Sequence, residues 1–206
     1  LAMDYRGYTL HEIPPNGQGI VALMALGMLE HFDLRAHPVD GVDSVHLQIE
    51  AMKLAFADAW RYVADIDYMQ DVKPTGLLDR DYLKSRAKLI DPKRAQNFGA
   101  GKPPQGGTVY LTAADAGGMM VSYIQSNYMG FGSGVVVDGI SLQNRAATFV
   151  VEKGHPNAAG PGKRPYQTII PGFVTREGAP VMSFGVMGGT MQPQGHTQVM
   201  VRIADY

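Results

Sequence analysis

Two hydroxyl side chains, Thr108 and Ser126, lie near the two ends of a pair of alternating apolar and polar runs. Thr108 directly follows two glycines, Gly106 and Gly107, and glycine tolerates the strained backbone that self-cleavage before a threonine requires. Cleavage would free the α-amine of Thr108, whose pKa of about 8 suits a general base for its own Oγ. The alternative is that both hydroxyls belong to ordinary strand surfaces, and their spacing alone favours that alternative.

The turn chemistry of residues 115–118 predicts an antiparallel hairpin between these two runs. If the first and last turn residues pair, Gln125 faces Thr108 and Ser126 lies one residue beyond. The two hydroxyls would then approach each other at the open end of the hairpin. The predicted strands are Thr108–Ala114 and Met119–Ser126.

Helices are predicted for most of the residues before 107, where apolar side chains recur every three or four positions. The first apolar stripe is Ile20, Met24, Gly27 and Met28, and the second is Val45, Ile49, Met52, Phe56, Trp60 and Val63. Asp43 or Ser44 could cap the second helix. A shorter helix is predicted to start after Asp79 and to run to Ile90.

The residues after 107 change to a period of two, which is typical of strands. Glycine is more frequent there and acidic residues are scarcer. Residues 99–107 are rich in glycine and proline and predict an exposed linker. Together the halves indicate a layered α+β architecture. Further strands are expected within Val135–Val137, Thr168–Val174 and Pro180–Val186, and a helix within Gln194–Asp205.

Composition excludes several classes of protein. The chain has 206 residues, of which 45% are hydrophobic and 18% charged, and its net charge of -1 creates no field that would attract nucleic acid or an anionic membrane. The longest apolar stretch, 19–29, is about half as long as a membrane span. Cysteine is absent, which rules out a disulfide framework and a thiolate nucleophile. Because the chain begins at Leu1, we expect a fragment or a processed product.

Other motifs carry weaker signals. The glycines of 130–134 lack the spacing of a nucleotide-binding loop, and the basic residues of 162–164 lack that of a phosphate loop. The six histidines form no chelating pair, so no metal is expected. Asp115 and Asp138 lie in turns, where aspartate commonly serves the backbone rather than acid–base chemistry.

Six segments, in this order and spacing, are typical of one known family: Tyr5-Arg6-Gly7-Tyr8, Ile13-Pro14-Pro15, Thr108 to Asp115, Phe131-Gly132-Ser133-Gly134, Gly162-Lys163-Arg164-Pro165 and Met187-Gly188-Gly189. With them the chain resembles, over its whole length, the γ-glutamyltranspeptidase family of N-terminal-nucleophile hydrolases. The resemblance is close to the branch of that family that includes cephalosporin-acylase-like proteins, and it implies an αββα four-layer sandwich.

The resemblance assigns roles to individual positions. It implies that Thr108 is both the processing residue and the nucleophile, cut from Gly107, and that the hydroxyl of Ser126 lies beside the nucleophile's amine. Gly188 and Gly189 match the pair whose N–H groups form the oxyanion hole. Residues 1–107 would then be the end of a large subunit and 108–206 a small subunit, associated as a heterodimer.

Five positions correspond to the family's substrate contacts, and most of them depart from its pattern. Gln167 and Thr168 stand where two serines hold a substrate carboxylate. The other three positions are Tyr128, Arg145 and Thr148. In most members of the family, the residues at these three positions include a carboxylate that binds the substrate ammonium. An ammonium prefers a carboxylate to neutral hydroxyls, and Arg145 would favour a carboxylate instead. The family's own carboxylate-binding arginine would precede Leu1.

The function that follows is self-processing and acyl transfer from γ-glutamyl amides such as glutathione to water or an amine, without a cofactor. One alternative is an acylase for glutaryl, poly-γ-glutamyl or related groups. A second is a non-catalytic scaffold that stays uncleaved. No nucleic acid, metal or membrane span is expected, and the compartment stays open between periplasmic or secreted and cytoplasmic.

Overall fold

Residues 1–70, 72–98 and 107–206 are described by the structure, a computed structural model. Helices dominate before residue 98 and strands after residue 107, as the two periodicities predict. The helices are α1 Gly19–Leu29, α2 Val42–Tyr62, α3 Pro74–Leu77, α4 Arg80–Ala87 and α5 Gln192–Asp205. The strands are β1 Ala2–Tyr5, β2 Tyr8–His11, β3 Gly107–Ala114, β4 Met120–Tyr128, β5 Val136–Val137, β6 Ile140–Ser141, β7 Gly172–Arg176 and β8 Ala179–Phe184.

A four-stranded antiparallel sheet in the order β1-β2-β7-β8 joins the two halves of the chain. Strand β2 pairs with β7, so that Leu10 faces Val174 and His11 faces Phe173. Both Leu10 and Val174 are fully buried. The main sheet is therefore built from segments on both sides of residue 107.

Helix α1 is the centre of the core. All 11 of its residues are buried, the four of the predicted stripe among them, so the helix has no polar face. It packs against α2, α4 and α5. A helix that is apolar on every side is covered on every side. No helix in the described parts of the chain is long and apolar enough to cross a membrane.

The buried face of helix α2 differs from the predicted apolar stripe. Met52 and Phe56 are buried as expected, but Ile49 and Trp60 are more than one third exposed. Polar side chains occupy some positions on the buried face, where they form hydrogen bonds within the protein. Glu50 accepts from Lys53 Nζ at 2.5 Å.

Both predicted caps of α2 were wrong. Gly41 occupies the N-cap without a side-chain bond, and Asp43 and Ser44 lie inside the first turn. The predicted start of α4 was confirmed, since Asp79 caps it by accepting from Tyr82 N at 2.8 Å, but the helix ends at Ala87 rather than at Ile90. The predicted linker lies outside the described residues except for its last residue, Gly107.

The β3–β4 hairpin exists, but its predicted register was wrong by one residue. Asp115 N donates to Met119 O at 3.1 Å, so the loop has three residues rather than two. Gly118 adopts φ +86°, which a three-residue loop of this kind requires at its last position. Val109 therefore faces Gln125, and a register shift lies between Gly107 and Val109.

The hairpin packs on the face of β8 that lies opposite to the helices. Ser183 bonds to Thr112 of the hairpin, whereas the ring of the next residue, Phe184, lies 4.5 Å from that of His196 on α5. Successive side chains of a strand point to opposite faces. Helices, main sheet and hairpin thus form successive layers.

Candidate active site

Thr108 lies in the irregular step at the start of β3. The register passes from the pair Gly107–Tyr128 to the pair Val109–Gln125, which leaves Thr108 opposite two residues of β4, Ser126 and Asn127. Its Oγ1 is buried and has no hydrogen-bond partner among the described residues. A buried hydroxyl normally has a partner. The hydroxyl of Thr108 is therefore an exception to this rule within the described parts of the chain.

Ser126 and Tyr128 lie at the end of β4, the strand that pairs with the strand of Thr108. Ser126 Oγ accepts from Tyr128 N at 2.9 Å, and Tyr128 takes φ +77°, an uncommon conformation for a tyrosine. The Tyr128 side chain is nearly buried. Burial raises its pKa, while the positive charge of Arg145 opposes that shift. The turn at Tyr128 directs the end of β4 towards Arg145.

Arg145 is a buried cation. It lies in a single helical turn, Arg145–Thr148, with 3% of its surface exposed. Its guanidinium carbon is 4.6 Å from the centre of the Tyr128 ring, and Nη1 donates to Thr168 Oγ1 at 2.6 Å. Nε and Nη2 have no hydrogen-bond partner within residues 1–70, 72–98 and 107–206. Burial lowers its pKa to about 10, so the group remains charged at neutral pH.

Gln18 connects this cluster to the glycine pair, and sequence reasoning missed it. It is completely buried just before α1. Its Nε2 donates to Thr168 O at 2.7 Å and to Gly189 O at 2.8 Å, and Oε1 accepts from Tyr166 Oη at 3.2 Å. An amide with all three of these bonds is fixed in orientation. The only signal in the sequence was a polar residue at the edge of the apolar run.

Gly188 and Gly189 precede α5 and share positive φ values of +123° and +60°. Gly189 begins the short helical turn that continues into α5. N–H groups in the first turn of a helix lack partners within that helix, and the helix dipole adds positive potential there. The pair is thus placed where an anionic oxygen could be stabilised.

Two other predicted residues use their polar groups within the protein. Thr148 Oγ1 lies 2.7 Å from Tyr166 O and 2.8 Å from Arg145 O, so its single proton is engaged by carbonyl groups. Gln167 Oε1 accepts from Thr168 N at 3.0 Å. The hydroxyl of Thr148 therefore has no proton left to donate, whereas for Gln167 the engaged group is the amide oxygen.

A second buried polar group lies away from this cluster. His196 Nδ1 and Glu12 Oε1 are 2.5 Å apart, and both side chains are fully buried. Neither residue was singled out by its sequence pattern. Among the described residues, no cluster of three or more His, Cys, Asp or Glu side chains is arranged to hold a metal ion.

The layered α+β arrangement is that of the N-terminal-nucleophile hydrolases, a class built as an αββα sandwich. Cephalosporin acylase from Bacillus halodurans has the same fold, with a TM-score of 0.88 and 50% identity over 100% of this chain and 37% of that one. The chain belongs to the gamma-glutamyltranspeptidase family, whose profile matches residues 1–206. It falls in the acylase-like branch of that family.

Curated relatives agree with this assignment. The glutathione hydrolase-like YwrD proenzyme of Bacillus subtilis is 35% identical over 212 positions, covering 100% of this chain and 39% of that protein. The oxamate amidohydrolase proenzyme of Klebsiella pneumoniae is 37% identical over 204 positions, covering 98% of this chain and 38% of that protein. The chain thus spans less than two fifths of the length of these relatives.

Proposed function

We propose that the protein is a self-processing amide hydrolase and acyltransferase with Thr108 as its nucleophile. The observation that carries the proposal is the buried Oγ1 of Thr108 at the start of β3, which has no hydrogen-bond partner in the part of the chain that the structure describes. The names of the relatives support it, since both curated proteins described above are called proenzymes. Thr108, Ser126 and the two glycines keep the roles that the family resemblance implies.

Processing would begin with attack of Thr108 Oγ on the Gly107 carbonyl carbon. The Gly107–Thr108 C–N bond breaks, its nitrogen gains a proton and an ester forms at Oγ. Water then hydrolyses the ester, leaving a carboxylate on Gly107 and a free α-amine and hydroxyl on Thr108. Among the described residues next to the cut, Tyr128 has a positive φ value and Thr108 does not.

Catalysis would use the new chain end twice. The α-amine takes the proton of Oγ as the oxygen attacks a substrate amide, and it then delivers that proton to the departing amine. The N–H groups of Gly188 and Gly189 would hold the oxyanion, an interaction typically worth about 3 kcal/mol for one donor. Water or an amine next attacks the acyl ester and regenerates Thr108.

The two products of processing should remain one particle. Strand β2 comes before the cut and β7 after it, yet they pair within one sheet. Helix α1 likewise packs against α5. Because the core crosses the cut in both places, we propose a heterodimer of large and small fragments.

The acyl donor is open between two classes. γ-Glutamyl amides such as glutathione follow from the family as a whole, and the YwrD protein carries the name glutathione hydrolase-like. Acyl groups without an α-amine follow from the relatives named acylase and oxamate amidohydrolase. The structure at 50% identity is in the second class, which favours it for this chain.

Mass spectrometry of the purified full-length protein under denaturing conditions tests the proposal. We expect two fragments, the smaller beginning at Thr108, and hydrolysis of an acyl anilide. Thr108→Ala should give one uncut chain without activity, and Thr108→Ser should still cut itself. A wild-type protein that stays whole after long incubation would instead support the scaffold alternative.

A further inference from the structure

The two glycines of the proposed oxyanion hole need a restraint on their backbone. Gly188 and Gly189 have positive φ values of +123° and +60°, and glycine has more backbone freedom than any other residue. Oxyanion donors stabilise a transition state when they are aligned before the reaction. Within the short turn, Gly189 O accepts from the N–H of Gln192. A second bond reaches the same oxygen from outside the turn.

The second bond comes from the side chain of Gln18. Its Nε2 donates to Gly189 O at 2.8 Å and to Thr168 O at 2.7 Å, so one amide nitrogen holds two carbonyl groups together. Its Oε1 accepts from Tyr166 Oη at 3.2 Å. Because the two carbonyl groups can only accept, Nε2 must face them, and the side chain has one orientation.

The backbone around Gln18 is fixed as well. Gln18 N donates to Gln167 O at 2.9 Å, and Gln167 N donates to Asn16 O at 2.9 Å. Between these bonds, Gly17 and Gln167 form a parallel bridge. The Gln18 side chain is completely buried, and a hydrogen bond is electrostatically stronger in the protein interior than in water. The amide therefore connects the rigid core to the glycine turn.

These contacts join the two sides of the proposed cut. Gln18 precedes the Gly107–Thr108 bond in the chain, whereas Thr168 and Gly189 follow it. After processing, the nucleophile and both glycines would belong to the small fragment. The amide that restrains the glycine turn would belong to the large fragment. The oxyanion hole would therefore be aligned across the boundary between the fragments.

We propose that Gln18 is a positioning residue for acyl transfer, which aligns the oxyanion hole by holding the carbonyl group of Gly189 against that of Thr168. This inference rests on the proposed roles of Thr108 and the glycine pair. An oxyanion forms from every amide substrate, so the effect of Gln18 should be the same for different acyl donors. The hole serves both formation and breakdown of the acyl ester. Both steps should therefore slow together when Gln18 is removed.

Gln18→Met tests the inference in the processed full-length protein, because methionine has a similar length and donates no hydrogen bond. We expect kcat to fall about 10- to 100-fold, since a displacement of about 1 Å can cost about 100-fold. KM should change less than about threefold. The substrates are γ-glutamyl and glutaryl 4-nitroanilide, and kcat for the two should fall by the same factor. Denaturing mass spectrometry gives the fraction cut at Thr108, and rates are expressed per cut molecule.

Gln48→Met is the matched control. Gln48 is also a buried glutamine whose Nε2 donates two bonds, to Ser44 O and Ser44 Oγ at 3.2 Å each. Both bonds lie within α2, one turn apart. The substitution should lower the melting temperature and leave kcat for both anilides unchanged. The two variants therefore separate the loss of buried hydrogen bonds from the loss of alignment at the glycines.

Tyr166→Phe is a milder second variant, because it removes only the hydroxyl that orients the Gln18 amide. We expect kcat to fall about 5-fold, as the loss of one neutral hydrogen bond implies. The double variant should be no slower than Gln18→Met alone, since the hydroxyl acts through the amide. If Gln18→Met fails to fold or to cut itself, Tyr166→Phe decides alone, and a wild-type kcat then overturns the inference.

The other outcomes separate this inference from the proposed function. A processed Gln18→Met protein with the wild-type kcat overturns the positioning role and leaves Thr108 as the nucleophile. A higher KM with kcat unchanged, or losses that differ between the two anilides, would place Gln18 in donor binding and also overturn it. Equal losses of kcat in Gln18→Met and Gln48→Met would make the role purely structural. A wild-type protein that never cuts itself overturns both proposals.

Discussion

The carboxylate of Glu12 and the imidazole of His196 meet inside the protein, where β2 ends and α5 begins, and both side chains are fully buried. The ring of Phe184 lies 4.5 Å from the imidazole. Burial raises the pKa of Glu12, and the histidine opposes that shift. The short turn that begins at Gly189 leads into α5, so this pair anchors the helix that follows the two glycines.

His196→Ala should lower the free energy of unfolding by about 3–5 kcal/mol, because it leaves the Glu12 carboxylate buried without its partner. Urea unfolding measures this change. The exposed pair of Arg202 and Asp40 provides the control, since Arg202→Gln should cost at most about 1 kcal/mol. Similar small losses in both variants would contradict a stabilising role for the buried pair.

Asp65 should make stability depend on pH in the acid range. Hydrogen bonds from the side chain and backbone of Arg164 hold the pKa of Asp65 at about 2, below its ordinary value of 3.8. A carboxyl group whose pKa is lower in the folded state stabilises the fold above the unfolded pKa, and this contribution disappears as pH falls towards the folded pKa. The window is therefore between about pH 4 and pH 2.

Asp65→Asn should consequently destabilise the protein at pH 7, and the difference from wild type should shrink as the pH is lowered through that window. Thermal unfolding at pH 7, 4 and 2.5 measures it. Asp67→Asn is the control, because Asp67 lies 3.7 Å from the same arginine but is 80% exposed. A difference that stays constant with pH would contradict the assignment.

Much of the architecture could be predicted from the sequence where local chemistry decides it. Asp79 caps α4 because its side chain reaches a neighbouring N–H. The α+β class and the family were also confirmed. The hairpin register was wrong because a three-residue and a two-residue loop can share the same turn residues. One extra residue in the loop moved Thr108 from the partner of Gln125 to a position opposite Ser126 and Asn127.

The buried polar contacts could not be predicted from one sequence, because they join residues far apart in the chain. Gln18 meets Thr168 and Gly189 only after the halves pack together, and Glu12 meets His196 in the same way. Periodicity identifies a buried position but not its partner. The roles of the predicted site residues stay predictions that the experiments above address.

Gly185→Ala should loosen the hairpin from the main sheet. A Cβ at this position would lie 2.5 Å from a carbon of the Tyr110 ring. The ring cannot easily turn away because its hydroxyl bonds to Ser122 Oγ at 2.8 Å, which in turn donates to Gly172 O at 2.9 Å. We expect a loss of about 1–3 kcal/mol in unfolding free energy and slower processing at Thr108.

Chemical unfolding and a time course of self-cleavage measure these two effects. Gly76→Ala is the control, since a Cβ there would meet no atom within 4 Å. It should leave both measurements close to wild type. If Gly185→Ala processes at the wild-type rate while losing stability, the docking of the hairpin does not control the position of Thr108.

Gly188→Ala should impair the chemical step more than it impairs folding. Gly188 has φ +123°, and an added Cβ would lie 3.2 Å from Met191 Cε, so alanine would strain the backbone whose N–H is proposed to hold the oxyanion. We expect kcat to fall on the order of 100-fold, as for loss of one oxyanion donor.

Gly178→Ala is the matched control, because Gly178 has φ +78° with nothing within 4 Å and lies in the β7–β8 turn. Both variants carry backbone strain of about 1–3 kcal/mol, so both should unfold at lower urea, whereas only Gly188→Ala should lose turnover in processed protein. Equal turnover in the two variants would remove Gly188 from the oxyanion hole.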